Sequence, residues 1–421
     1  MTDRKKMSLL YSNASLSPLL EPEFRLYVFA RFFYIMALRM VATVVAYQLF
    51  QLTNDSFAIG LVGLSEFIPV FSLALYAGHV IDRSDKRTLL LKGILSYSIC
   101  VVALILISSQ YFTQYFSTKT IELSMYGVIF VTGIVRAFSG PTSTAIIAQL
   151  VPRHMLHYAS NISSSTWLTA SILGHASAGF FIAWFGVHAC FYIILCYVLL
   201  ASLVISRIER KPVVQTDRAI KTWESVKAGL SYVFKHKIML GAISLDLFAV
   251  LFGGAVALIP EFAEKVLKVG PIGFGWLNAA IDIGSGMMIV GMTLKPLRRN
   301  QGKILMFAVG GFGLCILAFG LSKVYWLSFA ALMIAGMLDG ISVLVRGNIF
   351  QLTTPDEMRG RVSAVNSMFV NSSNELGQFE SGFTARLFGG AVPAVLFGGC
   401  MTLLVVIIAW FKAPALRKFE Y

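Results

Sequence analysis

A chain of 421 residues with 57% hydrophobic and only 13% charged residues has too little polar surface to wet a globule, since soluble domains are closer to a quarter charged. A mean hydropathy of +0.75 points to the lipid bilayer as its solvent. The formal net charge of +14 would suggest a nucleic-acid binder only if the basic residues formed a patch or a reader motif, and they are scattered along the chain.

Residues 1–23 are polar and lack the short apolar core and small-residue cleavage site of a signal peptide, so none is expected. A hydrocarbon core about 30 Å thick needs roughly 20 apolar residues at about 1.5 Å each. Stretches of that kind lie at 24–50, 57–81, 89–109, 123–149, 159–184, 189–206, 238–260, 274–294, 304–321, 326–350, 361–388 and 392–411. The expected fold is therefore all-α and membrane-embedded, with twelve transmembrane helices. The narrowest break is 186–189, where two spans nearly touch. With the N-terminus placed in the cytoplasm, 25 of the 35 Lys and Arg residues fall in cytoplasmic segments. Only Lys119, Lys265, Lys268 and Lys323 fall on the opposite side, and Arg25, Arg31, Arg39, Arg136, Arg346 and Arg386 lie within spans. Such a bias follows the positive-inside rule and predicts both termini in the cytoplasm. Cys100, Cys190, Cys196, Cys315 and Cys400 lie in or beside spans without a C-x-x-C pair, so neither a disulfide framework nor a metal site is indicated, and no cofactor is expected.

The basic segment 207–237 divides the chain into six spans, residues 1–206, and six more, residues 238–421. Within it, Ala219–Lys237 sets Trp223, Val226, Leu230 and Val233 at helical spacing, the pattern of an amphipathic helix lying on the membrane surface or of a solvated linker helix. The two parts echo each other. Gln149-Leu-Val-Pro152-Arg-His-Met155 is matched by Gln351-Leu-Thr-Thr-Pro355-Asp-Glu-Met358, about half the chain later. An even number of spans in each half makes the repeats parallel, with a cavity between them at the midplane.

The loop after the second span reads Gly78-His-Val-Ile-Asp82-Arg83-Ser-Asp-Lys86-Arg87. It resembles the major facilitator superfamily signature Gly-x-x-x-Asp-Arg with its basic cluster, with Asp85 where a second Gly is common. The resemblance implies that Gly78, Asp82, Arg83 and Arg87 form a latch between the halves when the outside is open. Arg136-Ala-Phe-Ser139-Gly140 resembles the superfamily's Arg-x-x-Gln-Gly pattern, whose arginine is linked to proton movement. Ala170-Ser-Ile-Leu-Gly174-His175-Ala-Ser-Ala178-Gly179 resembles its antiporter motif, with Ala170 for Gly and His175 for the kinking Pro. His175 reads either as a titrating group or as a satisfied hydrogen-bonder. Residues 20 to 415 resemble the enterobactin-exporter-like branch, through phrases such as Phe29-Ala-Arg31-Phe32 and Ser373-Asn-Glu375-Leu-Gly-Gln378-Phe-Glu380. That branch implies two six-helix bundles and proton-coupled export of siderophores, macrolides and other amphiphiles from the bacterial cytoplasm.

Ionisable residues inside spans are costly and mark function by default. Rise per residue puts Arg39, Glu66, Arg136, Asp339 and Glu375 roughly 20–24 Å along their spans, near the middle. Asp246, Asp282, Glu380, Arg31 and Arg346 lie nearer the ends. Arg136 and Asp339 occupy equivalent places in the two halves. The resemblance implies that spans one, four, seven and ten line the cavity, bringing in Arg39, Arg136, Asp246 and Asp339 as opposite charges that exchange partners as the halves rock. On this expectation Asp339→Asn abolishes proton-driven transport. Span eleven sets Asn371, Asn374, Glu375 and Gln378 on one face, for contact with substrate, for a proton relay or for hydrogen bonding between helices. Trp167, Phe248 and Phe252 are candidates for an adaptable apolar wall.

The leading expectation is a proton antiporter, working as a monomer and exporting a small amphiphile, a siderophore or a drug. Its other partners are protons and membrane lipids, with no nucleic acid. The alternatives are an importer and, in a different class, a receptor or membrane enzyme. An enzyme would need converging catalytic groups, which the scattered histidines do not supply.

Overall fold

The computed structural model describes residues 14–212, 222–294 and 299–420. Its long elements are helices: α1 (Pro22–Thr53), α2 (Ser56–Asp82), α3 (Lys86–Ile107), α4 (Thr118–Ala145), α5 (Leu156–Ser206), α6 (Thr222–Lys235), α7 (Lys237–Gly253), α8 (Gly270–Leu294), α9 (Gln301–Leu321), α10 (Tyr325–Thr353), α11 (Asp356–Phe388) and α12 (Ala391–Lys412). Local chemistry sets several of their ends. Pro22 opens α1, where its missing N–H is not needed. Asp55 and Asp85 cap α2 and α3 by accepting the N–H groups of Phe57 and Arg87. Asn54 closes α1 in the left-handed conformation.

Among the described residues, ten helices are long and apolar enough to cross a membrane, against the twelve spans expected. The difference has two physical sources. The stretch Arg153–Ser206 counts once, yet α5 alone has 51 residues, roughly 77 Å of helix and more than twice a bilayer core. Gly186 breaks it with φ 79° and ψ 168°, a conformation closed to side-chain-bearing residues, at the break the sequence marks. The other source is α11, 33 residues long but too polar along its length to count.

Apolar packing falls into separate cores. One is built only from residues 24–208, with Phe24, Tyr27, Met40, Leu49, Met125 and Phe191 fully buried. The fully buried members of the remaining large clusters fall within 233–416, among them Phe262, Phe274, Phe319 and Met306, and Tyr47 of α1 packs against one of them. They meet at the α1–α2 end, where Phe50 and Ile59 pack with Ala257. There Ser56 Oγ donates to Glu261 Oε2 at 2.6 Å and Gln51 Nε2 to Glu264 Oε2 at 2.6 Å. Phe57 packs against Phe379 and Phe383, and the Arg386 guanidinium lies 5.1 Å from the Phe57 ring centre. This end is thus clamped across the two sets of helices.

The expected surface helix is described from Thr222 to Lys235 and is differently placed. Its stretch before Thr222 and the side chains of Trp223 and Val226 lie outside the described residues. Val233 is buried with Met239, Ile243, Phe350, Val362 and Val365, and Leu230 packs on the same cluster. This face of α6 docks on protein, against α7, α10 and α11, and not on lipid.

Candidate functional site

Three helices meet where two glycines leave room for main chain. A Cβ at Gly133 of α4 would lie 2.6 Å from Pro69 Cγ and 3.0 Å from Glu66 O, so α4 closes directly on α2. A Cβ at Gly63 of α2 would lie 2.6 Å from Glu375 O, so α11 closes on the other side. One turn from each contact stands a charge. Arg136 Nη1 pairs with Glu66 Oε1 and lies 3.9 Å from Glu375 Oε1. Gln378 Nε2 reaches Glu375 Oε2 at 3.4 Å. One arginine thus faces two acids, one from each core's set of helices. The Arg136 side chain is 40% exposed although it sits deep in α4, while Glu66 and Glu375 are 14% and 12% exposed. The guanidinium therefore borders open space and the carboxylates are mostly covered.

Arg39 completes the centre. Its guanidinium carbon lies 4.8 Å from the centre of the Trp167 ring, a cation–π contact. It acts electrostatically on Arg136, Glu375 and His175. Two arginines and two glutamates make the cluster neutral in sum. Trp167, a candidate for the apolar wall, is at the site. Phe252 turns edge-on to Phe397 of α12, and Phe248 is exposed. Asn371 and Asn374 are exposed on the same helix as Glu375.

Arg136 and Asp339, expected among the opposite charges around one cavity, have different partners in this arrangement. Arg136 has Glu66 and Glu375 as its acids. Asp339 lies beside Asp246 and Arg346, where Arg346 Nη1 donates to Asp246 Oδ2 at 2.5 Å with both residues 5% exposed. A small cavity between α7, α9 and α10 is lined by Asp246, Asp339 and Ser342 with Ala249, Val250, Val309, Phe312 and Leu338. Arg346, read as an end residue, is a member of this second centre. Asp339, Ser342 and Arg346 at i, i+3 and i+7 on α10 are the signal that could have placed it. Asp282, expected nearer an end of its span, faces His175 across α5 and α8 at 3.8 Å.

Gly174 abuts α1, where a Cβ would meet Arg39 Cβ at 2.8 Å, and Gly179 abuts Pro271 and Gly275 of α8. Around the signature loop, Gly78 has no neighbour within 4 Å of a Cβ, and Asp82 and Arg83 are exposed. Arg87 donates from Nε to Ile208 O at 2.9 Å and from Nη2 to Ser206 O. Asp85 accepts from Thr88 Oγ1 at 2.5 Å and from the Lys211 N–H at 3.1 Å. Burial pushes the Asp85 carboxyl up, but these bonds with the Arg87 and Thr88 N–H groups outweigh it and hold it below its ordinary range. This loop holds the chain leaving α5, and in this arrangement its arginine bonds main chain of its own half.

A family model for the Major Facilitator Superfamily matches residues 27–378. The chain belongs to this superfamily. The superfamily member is 22% identical to the MFS-type transporter YfiS of Bacillus subtilis (strain 168) over 87% of either chain. It is also 22% identical to the enterobactin exporter EntS of Escherichia coli O1:K1, over 92% of this chain and 87% of that protein. Its fold superposes on a D-xylose–proton symporter with a TM-score of 0.73, 13% identity and 96% and 100% of the two chains covered. A mutant of the nucleoside transporter NupG gives 0.72 at 14% identity, with 94% and 98% covered. This superfamily protein is a multi-pass membrane transporter and not an enzyme.

Proposed function

We propose that the protein is a proton-coupled exporter of a small amphiphilic molecule, a siderophore or a drug-like compound, working as a monomer by alternating access in the bacterial cytoplasmic membrane. The chain crosses twelve times, as two six-helix bundles, 1–206 and 238–421, joined by the cytoplasmic linker 207–237, with both termini in the cytoplasm. The separate cores, the Gly186 break and the length of α11 support the two bundles. The basic residues support the orientation. On this orientation the clamped α1–α2 end faces outward, and the cavity opens to the cytoplasm.

One observation carries the reading: Arg136 is shared between Glu66 of one bundle and Glu375 of the other, beside open space. When the bundles part at the outer end, the guanidinium keeps one acid and leaves the other. A carboxylate left unpaired in a dry site costs several kcal/mol and takes a proton instead. Re-forming the shared pair returns that proton. Asp246, Asp339 and Arg346 form a second centre, in which two acids stand beside one arginine. Arg39 and Trp167 offer a cation and a flat apolar face for an aromatic, anionic cargo. The likeness to an enterobactin exporter over most of the chain supports export and a cargo of that kind.

The test compares a deletion strain with its parent under iron starvation, assaying siderophore in cells and in medium. Retention in cells with depleted medium, restored by the wild-type gene and not by the Glu66→Gln or Glu375→Gln gene, is the expected result. Unchanged secretion overturns the siderophore reading and moves the cargo to drugs or other metabolites.

A further inference from the structure

The seam between α5 and α8 holds a titratable pair apart from the Arg136 cluster. His175 stands where the resembled antiporter motif carries proline, so this pair belongs to this chain's own chemistry. Its geometry settles which nitrogen faces which partner. Thr43 Oγ1 donates its only proton to the Arg39 carbonyl at 2.9 Å. The same oxygen lies 2.7 Å from His175 Nδ1, where it accepts when the ring hydrogen is on Nδ1 and donates when that nitrogen is bare. With the hydrogen on Nδ1, Nε2 of the neutral ring turns a lone pair toward Asp282 Oδ2, 3.8 Å away across the seam. Ser171 Oγ donates to that same carboxylate oxygen at 2.5 Å. In that tautomer two lone-pair-bearing groups face each other, and a proton on Nε2 is what draws them together.

One turn beyond, the two helices touch through main chain. A Cβ at Gly179 would lie 2.6 Å from Pro271 O and 3.0 Å from Gly275 Cα. No side chain there can stretch to keep contact, so a small separation of α5 from α8 is felt at once at His175 and Asp282. The other charges around the pair are few. Arg39 of α1 acts on the imidazole from the cavity side, and Asp339 of α10 acts on Asp282.

We propose that His175 and Asp282 form a proton-binding site across this seam, in which a proton on Nε2 converts a neutral contact into an imidazolium–carboxylate pair and closes the α1–α2 end. The incoming proton bonds to the Nε2 lone pair, and no other bond is broken. On loss of the proton the pair lapses and Asp282 keeps only Ser171. Arg39 opposes the charged imidazole and so favours loss of the proton. The proposal rests on the alternating-access reading and adds an order of events to it. A proton arriving from outside shuts the outer end behind itself, and its release inward lets that end reopen.

The experiment uses the full chain in lipid nanodiscs with no cargo present. The five native cysteines are replaced, and Gln51→Cys and Glu264→Cys supply a reporter pair at the clamped end, where the native side chains touch at 2.6 Å. Cross-linking by a short bifunctional thiol reagent, divided at each pH by the reagent's rate with a free thiol peptide, measures closure between about pH 4 and about pH 8, a range that reaches below the ordinary imidazole value. The expected result is a roughly 5-fold or greater fall in the closed-to-open ratio as pH rises. His175→Gln keeps hydrogen-bonding atoms but cannot take the proton, and flattens the curve. Asp282→Asn flattens it through the other partner, so one variant that fails to fold leaves the other to decide. A flat curve in the parent, or an unchanged pH dependence in the folded variants, overturns the proposal. Because no cargo is used, failure to transport siderophore with a titrating cross-link refutes only the cargo reading. A flat cross-link with intact transport refutes only the seam.

Discussion

Gly63→Ala tests whether the packing of α2 on α11 holds the outer end shut. An alanine Cβ at this position would lie 2.6 Å from Glu375 O and 2.9 Å from Gln378 Cβ, against the 3.4 Å at which ordinary contact begins. The helices must part by about 0.8 Å at the oxygen, and overpacking of this kind costs about 1–3 kcal/mol. α11 cannot simply retreat, because its other face rests on Val250 and Leu251 of α7 at Gly377. The helix-propensity gain of Gly→Ala, about 1 kcal/mol, is common to both arrangements and cancels from their ratio. The substitution should therefore lower the closed-to-open ratio by roughly 5- to 150-fold. The assay is the labelling rate of Ser56→Cys by a membrane-impermeant maleimide in intact cells, since Ser56 is 2% exposed and lies within the clamp beside Glu261. Gly127→Ala, with no neighbour within 4 Å of its Cβ, is the control and should leave the rate unchanged. Equal labelling of the Gly63→Ala protein, its parent and the control would refute the reasoning.

Asp246→Asn or Arg346→Ala alone should cost about 3–5 kcal/mol, because each leaves a buried charge without its partner. The Asp246→Leu/Arg346→Met double variant should recover most of that loss, read by thermal unfolding in detergent. Gly186→Ala forces a side chain onto φ 79° and ψ 168° and should cost about 1–3 kcal/mol in the same assay. The depressed Asp85 carboxyl stabilises the folded loop at pH values above its ordinary 3.8, and the contribution is lost as pH falls through its lower folded value. Asp85→Asn should therefore speed trypsin cleavage after Arg210, the residue before Lys211, at neutral pH. A tethered-linker unfolding signal should converge for the two proteins once the carboxylate of the parent is protonated.

Helix position and length were legible in the sequence, because in a bilayer every crossing segment must satisfy its own main chain and so announces itself as an apolar run. The run ends agree with the helices to within a few residues in most cases, as with 326–350 against Tyr325–Thr353. The break at Gly186 was visible for the same reason. The charged residues and their depth were also legible, since depth follows from rise per residue. Their partners were not. Depth says nothing of how a helix is rotated or which neighbour it meets, so the sequence places Arg136 only among the opposite charges around one cavity, with Arg39, Asp246 and Asp339. Packing instead turned it to Glu66 and Glu375, through close approaches at Gly133 and Gly63 that no local pattern separates from the chain's other glycines. His175 likewise named itself as an oddity, but only the crossing of α5 with α8 supplied Asp282, more than a hundred residues away. One-dimensional periodicity fixes what must be buried, while the identity of the group that meets it depends on helix rotation and contact, which exist only once the chain is folded.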